Sequence, residues 1–208
     1  MQSNDGAKPL SYATIILVAA NVIYFLVMYL NGSVNTTAGL VASGAIYIQM
    51  GQYMGGISEL FKAMFIHFDI YHLGSNMLML AIVGDMLEKR LGMLRVTAAY
   101  IITGLAGNIA AVAVYSAMGR TVVTAGASGA VYGLLGVLVF LALRNRGSVP
   151  GFGKRRVIIM IILMLYSGVS SSGINLTAHV AGLIAGVILG LFYNGAWNRG
   201  RSPDNIYI

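Results

Sequence analysis

Long apolar runs separated by short clusters of charge constrain this chain more than any other feature of its sequence. Of its 208 residues 58% are hydrophobic and only 9% are charged, whereas charged residues make up about a quarter of an ordinary globular domain. A helix of about 20 apolar residues crosses a hydrocarbon layer of about 30 Å. The pattern therefore predicts an all-α protein that crosses a membrane several times.

Six apolar runs are long enough, or nearly long enough, to be membrane spans. They comprise residues 10–30, 71–87, 96–117, 128–143, 157–169 and 176–193. A further apolar piece at 38–51 is too short to cross and is expected to be an interfacial or re-entrant segment of a long first loop. We therefore predict a six-helix membrane domain at residues 10–194, between an N-terminal tail (1–9) and a C-terminal tail (195–208).

The distribution of positive charge predicts how these spans are oriented. The chain carries 13 lysines and arginines, and all except Lys62 and Arg120 flank the spans on the side of the two termini. The positive-inside rule then places both termini in the cytoplasm. Because the basic residues border apolar spans, the net charge of +7 indicates a lipid bilayer as the partner and argues against nucleic acid.

The residue inventory also limits the chemistry that is open to the chain. It has no cysteine, which excludes disulfides and thiolate sites. Its three histidines fall on a loop and two helices and do not form a metal-ligand pattern. We expect neither a metal nor another cofactor.

Polar side chains fall at one depth in three of the spans. Spans 2, 4 and 6 all enter from the outer side. His72, Asn76, Ser128 and His179 therefore lie within roughly 10 Å of the outer helix ends at 1.5 Å per residue. Polar residues inside membrane spans are costly and usually functional. His72 and Asn76 share a helix face and, with the Ser128 backbone N–H, are candidate donors to an oxyanion.

Glycines surround the serine and recur in span 6. Gly126 and Gly129 flank Ser128 and permit a close approach of another backbone or a substrate. Gly182 and Gly186 begin a ladder of small residues at four-residue spacing, which lets two membrane helices touch backbone to backbone. Packing along these glycines would bring spans 4 and 6 into contact at the depth of the serine.

Such packing would pair Ser128 with His179 as nucleophile and base. An adjacent base converts the weakly nucleophilic serine hydroxyl into an effective nucleophile. On the outer side the carboxylates are Glu59 and Asp69, both in the first loop, so no acidic residue lies in a span beside the histidine. The residues therefore predict a Ser–His dyad.

Three short motifs carry a resemblance to a known family. They are Gly126-Ala127-Ser128-Gly129, Ala178-His179-Val180-Ala181-Gly182-Leu183-Ile184-Ala185-Gly186, and His72-Leu73-Gly74-Ser75-Asn76 preceded by Phe65-Ile66-His67. In this order and topology the chain resembles the rhomboid intramembrane serine proteases of the six-span bacterial type, over about residues 53–193. One departure is Phe61-Lys62 in the first loop, where many members have Trp-Arg.

The resemblance implies a rhomboid-like bundle in a bacterial plasma membrane. It implies a serine endopeptidase that cleaves single-span membrane proteins within their transmembrane segments through an acyl-enzyme. Ser128 would be the nucleophile, His179 the general base and acid, and His72, Asn76 and the Ser128 amide the oxyanion hole. Tyr132 matches the family aromatic that packs against the catalytic histidine.

Other interpretations of the same residues remain open at this stage. Ser128 can be only a helix cap, His179 a structural hydrogen bonder and Tyr132 a core residue, and His67 is expected to be structural. The rival functions are a non-catalytic relative that binds membrane clients and a small transporter with the polar layer as its solute site. Both Ser128 and His179 are present and the polar residues stop at the outer third, which favours the protease.

Overall fold

The computed structural model describes residues 11–144 and 175–199, and these are mainly helical, as the sequence predicts. The helices are α1 (Tyr12–Leu30), α2 (Thr37–Ala42), α3 (Ile57–Lys62), α4 (Ile70–Leu91), α5 (Met93–Ala117), α6 (Ser128–Arg144) and α7 (Leu176–Arg199). Short 3₁₀ turns occur at Ser33–Asn35 and Ala63–Phe65. The tail at 1–9 and the predicted fifth span at 157–169 lie outside the described residues.

Four of the described helices, α1, α4, α5 and α7, are long and apolar enough to cross a membrane. They coincide with predicted spans 1, 2, 3 and 6. The helix at predicted span 4, α6, is apolar but has only 17 residues, or about 26 Å at 1.5 Å per residue. The described chain is therefore a multi-pass bundle with one shorter helix inside it.

The all-α prediction needs one correction, because the described residues include a three-stranded antiparallel sheet of order β2-β1-β3. The strands are β1 (Ile46–Gln49), β2 (Gln52–Tyr53) and β3 (Val122–Thr124). The apolar piece at 38–51 is thus not one segment but is divided between α2 and β1. Met50 and Gly51 both have positive φ, 48° and 81°, as a two-residue hairpin of type I′ requires.

The sheet joins the first loop to the segment that leads into α6. Ile46 and Ile48 alternate along β1 and are fully buried, as expected of a strand with one face in the core. Ile46 is paired with Thr124 and Ile48 with Val122. The position of β3, and of the turn after it, is therefore set by the first loop.

The short helix α6 lies at the centre of the bundle. Every residue from 129 to 138 is buried, and the helix packs against both α5 and α7. A helix that is apolar around its whole circumference is stable only when it is surrounded by other elements. Its first residue, Ser128, consequently lies among neighbouring helices.

A buried carboxylate in the last turn of α4 fixes the start of α1. Glu88 accepts hydrogen bonds from the backbone N–H groups of Ala13 and Thr14 and from the Thr14 hydroxyl, all at 2.8 Å. The first N–H groups of a helix have no partners within the helix, and the positive end of its dipole favours an anion. The carboxylate therefore anchors α1 to α4.

The last helix continues past its predicted end at residue 193. Trp197 is fully buried, and the Arg90 guanidinium lies over its ring at 5.7 Å. The Tyr193 hydroxyl donates to the Arg95 carbonyl at 3.3 Å. The predicted tail boundary at residue 195 thus lies within α7, whose last turns pack against the ends of α4 and α5.

Candidate active site

Ser128 begins α6 directly after a tight turn that leaves β3. Gly126 in this turn has φ 135°, a conformation that glycine adopts without steric cost, and its N–H donates to the Ala63 carbonyl at 2.8 Å. A Cβ at Gly126 would lie 2.9 Å from two ring atoms of His72 and 3.7 Å from Ser128 Oγ. The glycine therefore allows the imidazole of α4 to approach the serine.

The Ser128 hydroxyl lies within hydrogen-bond distance of the second predicted residue. Ser128 Oγ and His179 Nε2 are 2.8 Å apart, although they are 51 residues apart in the chain and on different helices. For Nε2 to accept the serine proton, Nδ1 must carry the ring hydrogen. His179 Nδ1 has no hydrogen-bond partner among the described residues, so Ser128 and His179 form a hydrogen-bonded pair without a third member there. We call these two side chains the dyad.

The carboxylates of the first loop are engaged elsewhere. Asp69 Oδ1 accepts the His72 backbone N–H at 2.8 Å and caps α4. Glu59 accepts the Gly56 N–H at 2.8 Å, and this bond, followed by one from Ser58, lowers the pKa of its carboxyl. Across residues 11–144 and 175–199, no three His, Asp or Glu side chains are close enough together to hold a metal ion.

Tyr132 packs on the histidine of the dyad. The two rings are stacked, with centroids 4.2 Å apart and planes 9° apart, and the His179 side chain is buried. Tyr132 is four residues after Ser128, so both lie on the face of α6 that meets α7. The stack fixes the plane of the His179 imidazole, whose Nδ1 has no hydrogen-bond partner among the described residues.

The predicted glycines bring α6 and α7 into backbone contact. A Cβ added at Gly182 would overlap the carbonyl oxygen of Gly129, and one at Gly186 would overlap that of Gly133. Side chains at either position would force the helices apart. Ser128 and His179 therefore lie at one end of the interface between α6 and α7, and the distance between these helices is set by contacts between their main-chain atoms.

Two of the three predicted oxyanion donors, His72 and Asn76, lie one turn apart on α4. The His72 ring stacks on Phe68, with centroids 5.6 Å apart, and meets the edge of His67 at 5.0 Å. Asn76 is buried, and its Nδ2 has no hydrogen-bond partner in the described chain. A buried donor left unpaired costs about 1–3 kcal/mol, so this amide is available to an incoming acceptor.

His67 is a neutral partner of the His72 ring. It is fully buried, and neither of its ring nitrogens has a hydrogen-bond partner among the described residues. Burial, with a smaller effect from His72, lowers the pKa of His67 to about 3, and the Phe65 backbone acts in the opposite direction. We predicted a structural histidine from the sequence; its contact with His72 was not predicted.

Sequence reasoning also missed Asn175 and Thr124, which join the start of α7 to the end of β3. Asn175 Oδ1 accepts the Ala178 N–H at 2.9 Å, and its Nδ2 donates to Thr124 Oγ1 at 2.9 Å. An asparagine directly before an apolar helical run is a recognisable N-cap signal. Its partnership with a threonine 51 residues earlier depends on tertiary structure and leaves no local signal.

Comparison with known proteins indicates the same family as the sequence motifs do. The family model described as Rhomboid domain matches residues 54–195. The chain is 33% identical over 193 residues to the Rhomboid protease GluP of Bacillus subtilis (strain 168), which covers 89% of this chain and 36% of that protein. It is 28% identical over 166 residues to RHOMBOID-like protein 1 of Arabidopsis thaliana, covering 77% and 42% of the two chains.

A shorter relative matches over a larger share of its own length. The Putative rhomboid protease YdcA of Bacillus subtilis (strain 168) is 29% identical over 131 residues, which cover 63% of this chain and 64% of that protein. The chain spans less than half the length of GluP and of RHOMBOID-like protein 1.

Proposed function

This chain belongs to the rhomboid family, and from that premise we propose that it is an intramembrane serine endopeptidase that cleaves membrane proteins within their transmembrane segments. The observation that carries the proposal is the 2.8 Å contact between Ser128 Oγ and His179 Nε2. A serine becomes an effective nucleophile when an adjacent base takes its proton, and this pair supplies both groups.

In the first half of the proposed reaction, Ser128 Oγ attacks the carbonyl carbon of the scissile peptide bond while His179 Nε2 takes the hydroxyl proton. The resulting tetrahedral intermediate carries a negative oxygen. When the C–N bond breaks, the imidazolium returns the proton to the leaving amine and an ester remains on the serine. A water molecule then attacks this ester with His179 as base, which releases the acid and restores the hydroxyl.

The negative oxygen of the intermediate would be stabilised by three donors: His72, Asn76 Nδ2 and the Ser128 backbone N–H. Two observations support this assignment: Asn76 Nδ2 has no hydrogen-bond partner among the described residues, and the His72 ring approaches Gly126 closely. Donors fixed in advance, in a site that excludes water, stabilise developing charge strongly. Loss of one such donor costs about 10²–10³ in rate.

The proposed base works without an orienting carboxylate. In a triad, the third residue holds the imidazole in the productive orientation. Here the Tyr132 ring, stacked at 4.2 Å, would fix the plane of His179, and packing of α7 against α6 would fix its position. Among the described residues no side chain hydrogen-bonds to His179 Nδ1, so the charge of the imidazolium would be balanced mainly by the negative oxygen of the intermediate itself.

The proposed substrates are single-span membrane proteins with small residues at the cut. An intact transmembrane helix satisfies its carbonyls internally, so the segment has to unwind before the serine can attack. We further propose a bacterial plasma membrane as the location, with both termini in the cytoplasm, from the side on which the lysines and arginines lie.

Covalent labelling with a fluorophosphonate tests the proposal. Purified wild type should be labelled and should cut a model single-span substrate, whereas Ser128→Ala should do neither. Ser58→Ala is the matched control, because Ser58 has an exposed hydroxyl on α3 that hydrogen-bonds to Glu59, and it should behave as wild type. Equal labelling of wild type and Ser128→Ala, or no labelling of folded wild type, would reject Ser128 as the nucleophile.

A further inference from the structure

We propose that Asn175 is a positioning residue whose side chain fastens the first turn of α7 to β3 and thereby keeps His179 at bonding distance from Ser128. The inference rests on the proposed serine-protease function. It assigns a role to a hydrogen-bonded pair, Asn175 with Thr124, that touches neither the substrate nor the reacting atoms. We call this pair the Asn175–Thr124 clasp.

One end of the clasp determines where α7 begins. Asn175 Oδ1 accepts the Ala178 N–H at 2.9 Å, and the Asn175 backbone carbonyl accepts the His179 N–H at 3.2 Å. Only the oxygen of the side-chain amide can accept a backbone N–H, so the cap also fixes the direction of its NH₂ group. His179 follows about 6 Å further along the helix, and any displacement of the first turn moves it.

The other end lies on the strand that leads to the nucleophile. Asn175 Nδ2 donates to Thr124 Oγ1 at 2.9 Å, and Thr124 is 5% exposed and paired with Ile46 of β1. The Tyr115 hydroxyl of α5 adds a third contact, to Asn175 Oδ1 at 3.3 Å. The clasp therefore connects the first turn of α7 to β3, a strand that is held in place by its pairing with the buried strand β1.

The glycine interface leaves a motion that the clasp can restrain. Gly182 against Gly129 limits how closely α6 and α7 approach, but glycines present no side chains that interlock against sliding along the helix axis. A slide of about 1 Å would lengthen or misalign the 2.8 Å contact between Ser128 Oγ and His179 Nε2, and a misplacement of that size costs about a hundredfold in rate. The clasp joins α7 to β3, the strand that leads into α6, at the end of the two helices where Ser128 and His179 lie.

Four substitutions separate the clasp from the cap. Asn175→Ser keeps an N-cap hydroxyl but is too short to reach Thr124, whereas Asn175→Asp keeps the cap and can accept a bond from the threonine hydroxyl. Thr124→Val removes the hydroxyl at nearly constant shape, and Thr124→Ser retains it. The matched control is Thr14→Val. Thr14, like Thr124, is 5% exposed, and its hydroxyl donates to Glu88 in the last turn of α4, far along that helix from His72.

The measurements are the rate of fluorophosphonate labelling, the kcat and KM for a model substrate, and the melting temperature. Asn175→Ser and Thr124→Val should each lower labelling and kcat by about ten- to a hundredfold with KM within about twofold. The double variant should be no slower than the slower single variant, because both remove one interaction. Asn175→Asp and Thr124→Ser should label within a few-fold of wild type. Thr14→Val should lower the melting temperature and leave labelling of the folded protein unchanged.

Several outcomes would overturn the clasp. Wild-type labelling of Asn175→Ser and Thr124→Val would do so, and so would losses that multiply in the double variant. An equal loss of labelling in folded Thr14→Val would assign the effect to general destabilisation. Failure of the proposed function is seen separately, because folded wild type would then not be labelled at all, and the inference would fail with it.

Discussion

Replacement of Gly182 by alanine should separate the dyad while the fold survives. The added Cβ would overlap the carbonyl oxygen of Gly129, the residue after Ser128, and Gly182 itself lies three residues after His179. Because the Gly129 carbonyl is part of the main chain and cannot rotate away as a side chain could, the helices must move apart by about 1 Å to relieve the overlap. That displacement is comparable to the misplacement that costs about a hundredfold in rate, because it lengthens or misaligns the 2.8 Å contact between Ser128 Oγ and His179 Nε2.

The stability cost of the same substitution should be modest. Overpacking typically lowers the free energy of unfolding by about 1–3 kcal/mol. Replacement of a helical glycine by alanine raises it by up to about 1 kcal/mol, which offsets part of that loss. Two other glycines of α7 provide controls. The atoms nearest to a Cβ at Gly190 would belong to the Phe140 side chain, and a Cβ at Gly195 would meet no described residue within 4 Å. Gly195→Ala should be neutral or slightly stabilising, and Gly190→Ala should alter stability more than labelling.

The assay is fluorophosphonate labelling at a temperature well below the melting point of every variant, with unfolding followed in the same detergent. We expect Gly182→Ala to label about a hundredfold more slowly than wild type, and Gly195→Ala at the wild-type rate. If Gly182→Ala labels like wild type, the main-chain contact does not determine the spacing of the dyad. If all three variants lose labelling equally, α7 responds as a whole and the local reasoning is refuted.

Three further predictions concern the surrounding structure. Glu88→Ala should destabilise the protein by about 2–4 kcal/mol in thermal or denaturant unfolding, because two backbone N–H groups and one hydroxyl lose their acceptor, and labelling of the folded fraction should not change. The pKa of His67 is about 3 in the folded chain and about 6.5 when unfolded. Its contribution to stability should thus be complete above pH 6.5 and lost as the pH falls toward 3, by up to about 1.4 kcal/mol per unit, with a flatter pH profile for His67→Phe. Because the chain has no cysteine, Ser58→Cys and Lys89→Cys can be tested in whole cells with an impermeant maleimide, and only Ser58→Cys should react; reaction of Lys89→Cys alone would invert the topology.

The sequence predicted the long helices well because their apolar length dominates every other signal. Runs of about 20 apolar residues have few alternatives to a spanning helix, and α1, α4, α5 and α7 lie where those runs lie. Ser128 and His179 could be placed at one depth because helix rise per residue is fixed. Their mutual contact followed from the glycine spacing, which itself signals close packing.

The sheet could not be predicted by the same reasoning. The Ile46–Gln49 strand lies within an apolar piece in which helix and strand periodicities cannot be told apart at such short length. Its hairpin uses Met50 at positive φ instead of the Asn-Gly or Asp-Gly pair that usually signals such a turn. Its third strand comes from beyond α5, and pairing over that separation leaves no local mark.

Different contacts of the site restrain different motions of its side chains and helices. The reason lies in the lipid that surrounds the bundle. Lipid is as apolar as the helix surfaces, so no hydrophobic force presses α6 against α7, and packing and hydrogen bonds must position them. Gly129 against Gly182 sets their separation, and the stack on Tyr132 sets the plane of His179. Asn175 against Thr124 would set the slide of one helix past the other. A variant that disturbs one of these contacts should therefore slow acylation without unfolding the bundle. Combining a Gly182 substitution with a clasp substitution should multiply the losses, because separation and slide are independent displacements of the same 2.8 Å contact.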